Sequence, residues 1–91
     1  MGETISVEYD PLLTVRDDCR GQASYRTSRI LLQPSSETWP RSATDIEHTF
    51  CHELTHHILN KMFRDDLNGD EKFVDVFAGL LHQALVTMKY E

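Results

Sequence analysis

Basic residues are scarce in this chain, with 9 Lys and Arg against 15 Asp and Glu in 91 residues and a formal net charge of −6. Phosphate contacts need clustered Lys and Arg, and the few present are scattered, which argues against a nucleic-acid-binding surface. Cysteine is nearly absent: Cys19 and Cys51 are the two in the sequence. They read as free thiols of a reducing cytoplasm. A cysteine ligand to a metal is the sharper alternative, although Cys51 points about 100° away from His52 on a helix. No apolar run follows Met1, where the next residues are Gly2, Glu3 and Thr4. The expectation is therefore no signal peptide, no membrane span and a cytoplasmic location. Repeats and low-complexity segments are also missing. What remains is a chain with 40% hydrophobic residues, suited to one globular domain over residues 1–91. A core this small leaves room for a bound metal to contribute to stability.

Ile5-Ser6-Val7-Glu8-Tyr9 alternates apolar and polar, as a half-buried strand does, and Asp10-Pro11 then breaks it. The stretch from Leu12 to Gly21 is ambiguous: Leu12, Leu13 and Val15 are apolar, but Asp17, Asp18, Arg20 and Gly21 look like loop. Ala23 to Tyr25 and Arg29 to Gln33 read as a hairpin turning near Thr27-Ser28, and Pro34 to Pro40 reads as a connection. Thr44-Asp45-Ile46-Glu47 fits a capping box that opens a helix running to about Phe63. Ile46, Phe50, Leu54 and Ile58 would be its buried stripe. Asn68-Gly69 supplies turn chemistry, and a second helix starts near Asp70. Its apolar face would be Phe73, Phe77, Leu80, Leu81, Ala84, Leu85 and Met88. Strands first and helices after predict an α+β fold with a small, mainly antiparallel sheet followed by two helices.

The chemistry lies in His52-Glu53-Leu54-Thr55-His56, an HExxH pattern. Residues four apart share a helix face, so both imidazoles can reach one ion, and neutral imidazole suits zinc. Glu53, beside the first ligand, is placed to take a proton from a water and pass it to a leaving amine. A catalytic zinc needs a third protein ligand. Glu71 stands fifteen residues after His56, in the first turn of the second helix, and Asp75 one turn further on the same face. Glu71 could bind the ion while Asp75 accepts a hydrogen bond from the far nitrogen of a ligating His, which would fix that ring. Asp70 and His82 are the other oxygen and nitrogen donors on or near this helix. His48 lies one turn before His52, near the site, and His57 faces away and reads as a packing residue. Trp39 reads as a loop residue packed against the sheet.

HExxH followed by a helix carrying ExxxD resembles the gluzincin metallopeptidases. The short layout, with Thr49-Phe50-Cys51 leading into the motif and Glu71 to Ala78 after it, is similar to the minimal ImmA/IrrE-like and SprT-like proteins of phages and prophages. The resemblance covers residues 44 to 85. It implies a zincin-like domain binding one Zn2+ per chain through His52, His56 and Glu71, with Glu53 as the catalytic carboxylate and Asp75 supporting a ligand. It also implies a protein or peptide substrate, no membrane or nucleic-acid partner, and the cytoplasm of a phage-infected or prophage-carrying bacterium. Larger gluzincins take an oxyanion-stabilising His or Tyr from a distant domain. Here Tyr9, Tyr25, His48, His82 or Tyr90 would have to serve. A substrate is expected to add a strand along Arg29 to Gln33. The alternative reading is a non-catalytic zinc-binding protein that acts through protein contacts.

Overall fold

The computed structural model describes residues 4–88. The alternating segment forms β1 (Ser6–Tyr9), and the ambiguous stretch after it folds into a short helix, α1 (Leu13–Asp17), that buries Leu13. Asp18, in the left-handed region with φ 53°, ends that helix. Two further strands follow, β2 (Gly21–Ser24) and β3 (Arg29–Leu32). Ser24 and Thr27 hydroxyls meet at 2.7 Å across the turn that joins them.

The hairpin prediction holds, since β2 pairs antiparallel with β3 and Ala23 faces Ile30 across the ladder. The sheet is nonetheless mixed. β3 lies between the other two strands, and β1 runs parallel to it with Val7 opposite Ile30. Local sequence marks strands but not their order, and inserting β3 between β1 and β2 leaves one parallel and one antiparallel ladder. The central strand carries the buried side chains Ile30 and Leu32. Because both edges of β3 are paired, a peptide cannot add a strand along Arg29 to Gln33. Among the described residues the open edges are the outer ones of β1 and β2, and of these two strands β2 is the one beside Glu53.

Gln33, at the exit of β3, is buried and satisfied: its Oε1 accepts from Thr14 N at 2.9 Å, and its Nε2 donates to Pro11 O at 2.9 Å. These bonds hold α1 on the end of the sheet. Arg41 does the corresponding work for the next helix, α2 (Ala43–Lys61). Its Nη1 donates to Gln33 O (2.8 Å) and Arg20 O (3.3 Å), its Nε to Asp45 Oδ2 (2.8 Å), and its Nη2 to Thr49 Oγ1 and Asp45 O. One guanidinium, with only 4% of its side chain exposed, thus joins the entrance of β2, the exit of β3 and the first turns of α2.

The cap of α2 is Ser42, not Thr44: Ser42 Oγ accepts from Asp45 N at 3.0 Å, and the helix begins two residues earlier than the capping box at Thr44 suggested. Ser42-Ala43-Thr44-Asp45 overlaps the expected box and has the same pattern. The buried arc also differs. Cys51, Glu53, Thr55, His57 and Leu59 are buried, while Ile46, Phe50 and Leu54 are half-buried and Ile58 is exposed. A helix covered by one partner buries one stripe, but α2 packs against the sheet on one side and against a second long helix on the other. Two buried side chains of α2 bond backbone carbonyls: Thr55 Oγ1 donates to Cys51 O (2.8 Å) and His57 bonds Arg29 O through Nε2 (2.9 Å).

After α2 the chain turns through α3 (Asp65–Asn68) into α4 (Glu71–Thr87), whose N-cap Asp70 accepts from Phe73 N at 3.1 Å. α4 meets α2 through Val74 and Ala78, both fully buried. Small side chains let the two helices approach closely. The expected apolar face of α4 is therefore not the packed one. Leu80 is 62% exposed, because it lies about 200° of helix rotation from Ala78, and Phe77, Leu85 and Met88 are exposed as well. Phe73 and Phe77 stack on each other with ring centroids 5.9 Å apart.

Candidate metal centre

The i, i+4 spacing on α2 brings the rings of His52 and His56 to a centroid separation of 5.0 Å. α3 and Gly69 reverse the chain, so the first residue of α4, Glu71, reaches back across α2. Its Oε2 lies 3.2 Å from His52 Nε2 and its Oε1 3.4 Å from His56 Nε2. The three ligand atoms all lie within 4.8 Å of one another, a group that could hold a metal ion. Ligand atoms roughly 2.0–2.2 Å from a tetrahedral ion stand about 3.3–3.6 Å apart, and the two separations from Glu71 sit close to that range. The residue set picked from the spacing is thus the set the fold brings together.

Glu53 is 8% exposed and lines a cavity of about 410 Å³ together with Gly21, Tyr25, His52, His56 and Glu71. Burial raises its pKa above the usual carboxylate value; the Glu71 charge adds to the rise, and the imidazoles of His52, His56 and His57 oppose it. β2 approaches Glu53 closely at Gly21. A Cβ built there would stand 2.5 Å from Thr49 Cγ2, 3.1 Å from Glu53 Cγ and 3.2 Å from Glu53 Oε2. Only a residue without a side chain lets the strand edge come this near the carboxylate.

The second nitrogen of each ligand His has a different surrounding. His56 Nδ1 is 2.5 Å from Asn68 Oδ1, so Nδ1–H donates there and the Nε2 lone pair faces Glu71. Asn68 in turn donates from Nδ2 to the Tyr25 hydroxyl at 3.1 Å. Sequence reasoning gave Asn68 only a turn role, and its side-chain role was missed. Asp75, expected to hold a ligand His, stands with Oδ1 3.6 Å from His52 Nδ1 and 3.4 Å from His48 Nε2. It lies beside His52 but beyond hydrogen-bond distance of it, and divides its position between two rings.

His48 lines a second cavity of about 420 Å³ with Asp75, His52 and Glu53. His82 bonds Glu47 Oε2 at 3.1 Å and sets its ring edge against His48. Asp70 is spent on the helix cap. His57 is a packing residue, as its position suggested, with Nε2 bonded and Nδ1 buried without a partner among the described residues. Both cysteines are free thiols. Cys51 is buried in α2, and Cys19 lines the wall of the 410 Å³ cavity without joining the ligand group. Burial raises the pKa of each, helped for Cys19 by Asp17 and Glu53 and for Cys51 by Glu47. Trp39 lines a small cavity with Arg20 and Arg41 rather than the metal group. Tyr90 lies outside the described residues. No helix among the described residues is long and apolar enough to cross a membrane.

Comparison with family models, with curated proteins and with solved structures found no match. The functional reading therefore rests on the chemistry of these side chains.

Proposed function

We propose that this chain is a zinc-dependent peptide hydrolase in which His52, His56 and Glu71 hold the ion and Glu53 is the general base. The observation that carries the reading is a buried carboxylate, Glu53, facing the same cavity as three ligand atoms spaced for one ion. Two imidazoles and a carboxylate form a ligand set typical of catalytic zinc, which leaves one position for water or substrate. When bound, the ion supplies a Lewis acid that polarises a carbonyl and acidifies a water. Glu53 takes the proton of the attacking water and hands it to the leaving amine. Burial raises its proton affinity toward the working pH, which suits a group that must both accept and return a proton. A substrate lies extended along the open outer edge of β2, the strand that packs closely against Glu53 because Gly21 has no side chain. The HExxH and ExxxD pattern, which resembles that of gluzincin metallopeptidases, supports the same assignment.

An ion shared by α2 and α4 would also tie the two helices together, so a non-catalytic zinc protein acting through protein contacts is the second reading. Glu53→Gln separates the two. In the hydrolase it keeps zinc and fold, because the amide preserves shape, and abolishes cleavage of a fluorogenic peptide library. Cleavage by the Gln variant at the wild-type rate would remove Glu53 from the mechanism.

A further inference from the structure

The turn between β2 and β3 carries Tyr25, which shares the 410 Å³ cavity wall with Glu53 and all three ligand residues. Its ring is backed by the edge of His57, with centroids 5.3 Å apart and planes at 86°, and His57 is itself fixed by the Arg29 carbonyl. Its hydroxyl oxygen accepts from Asn68 Nδ2. A phenol both donates and accepts, and the Tyr25 hydrogen has no acceptor among the described residues. The same Asn68 amide accepts from His56 Nδ1. One side chain therefore connects a ligand imidazole to a phenol whose donor is unspent, on the rim of the reaction cavity.

We propose that the Tyr25 hydroxyl is a second catalytic group of this site. It donates its hydrogen to the oxygen that gains negative charge when a peptide carbonyl is attacked in the cavity, and Asn68 is the residue that positions it. This rests on the hydrolase reading above. A donor fixed before the reaction costs no reorganisation when the charge develops, which is where such groups act most strongly. The other donors named from the sequence are placed less well. His82 is taken by Glu47 and His48 by Asp75. Tyr9 lies on β1, the edge of the sheet opposite β2, and is not among the residues that line this cavity. Asn68 also accounts for the fixed orientation: its oxygen is occupied by His56, so its amide hydrogens are what it offers to Tyr25.

The test uses the zinc-loaded protein and two probes: a dialanine phosphonate, tetrahedral and anionic at the reacting position, and the uncharged dialanine amide. Calorimetry should show Tyr25→Phe binding the phosphonate about tenfold to a hundredfold more weakly, the scale of a hydrogen bond to a charged group. The amide should bind within twofold of wild type, and zinc content and melting temperature should not change. Asn68→Asp isolates the positioning role. Its carboxylate still accepts from His56 Nδ1, as carboxylates behind zinc ligands do, but it cannot donate to Tyr25 and draws the phenol hydrogen to itself. It should retain zinc and lose phosphonate affinity as far as Tyr25→Phe does, with no further loss in the double variant. Wild-type phosphonate affinity in Tyr25→Phe would overturn the assignment of Tyr25, and additive losses in the double variant would overturn that of Asn68. Wild-type protein that takes up no zinc, read separately by elemental analysis, would overturn the hydrolase reading and this one with it.

Discussion

Replacing Gly21 by alanine adds one methyl group at the tightest point between sheet and metal helix. That carbon would lie 2.5 Å from Thr49 Cγ2, well inside contact distance. Thr49 has little freedom to yield: it is β-branched, and its hydroxyl is held by Asp45 O at 3.0 Å and by Arg41. The cost is steric rather than conformational, and overpacking of this kind costs about 1–3 kcal/mol. For a domain of this size that corresponds to a fall in melting temperature of roughly 5–20 °C, measurable by circular dichroism. The chemistry should suffer separately. The new methyl also presses on Glu53 at 3.1 and 3.2 Å, and none of its three nearest atoms belongs to a ligand residue, so hydrolysis should fall while zinc content holds. Adding Thr49→Ser removes Cγ2 and keeps the hydroxyl bonds. The double variant should recover most of the stability and little of the activity. A Gly21→Ala protein that melts and cleaves like wild type would refute the argument.

Elemental analysis should find one zinc per chain in wild type and little in His52→Ala, His56→Ala or Glu71→Ala, since each removes a direct ligand; equal zinc in all four would sink the site. Asn68→Ala should weaken zinc about tenfold to a hundredfold, and more than Asp75→Asn does, because only Asn68 is within hydrogen-bond distance of its ligand ring; competition with a chromogenic chelator ranks them. Ser42→Ala should lower stability by about 0.5–2 kcal/mol and Thr44→Ala by much less in urea titrations, because the cap bond is made by Ser42. Arg41 holds the Asp45 carboxyl below its ordinary pKa of 3.8, so Asp45 stabilises the fold above that value and the contribution is lost as pH falls through the depressed one. The urea midpoints of wild type and Asp45→Asn should therefore converge in acid.

His52, Glu53, His56 and Glu71 were legible because their geometry is local. An i, i+4 pair fixes two ligands, and a carboxylate at the first position of the next helix needs only a chain reversal to reach them. β1, the hairpin of β2 and β3, α2 and α4 were legible for the same reason, while the short helices α1 and α3 fell in stretches read as ambiguous and as a break. What depended on long-range packing was not. Asn68-Gly69 has the composition of a turn, and nothing in its spacing says that the Asn side chain faces His56. Gly21 looks like a loop residue until β2 is laid against α2. The capping box at Thr44 lost to an overlapping one because Arg41 ties the chain to the sheet just before Ser42. The apolar rows of α2 and α4 show that helices are amphipathic, but the packed arc depends on how many neighbours each has. For α4 the closest contact falls to Val74 and Ala78 rather than to the larger side chains.

Arg41 has a consequence for how freely this chain can be rewired. The ends of β2 and β3 and the start of α2 are fastened to one another by a side chain, so the connection over residues 34–40 is not what keeps them in place. Lengthening that connection should be tolerated, since doubling a flexible loop costs only about 0.6 kcal/mol in closure entropy. The fastening itself is far less tolerant. A lysine offers three donors from a single nitrogen and cannot span acceptors on two strands and a helix at once, as a planar guanidinium does. The place to insert new sequence into this protein therefore lies immediately beside the residue that can least be exchanged.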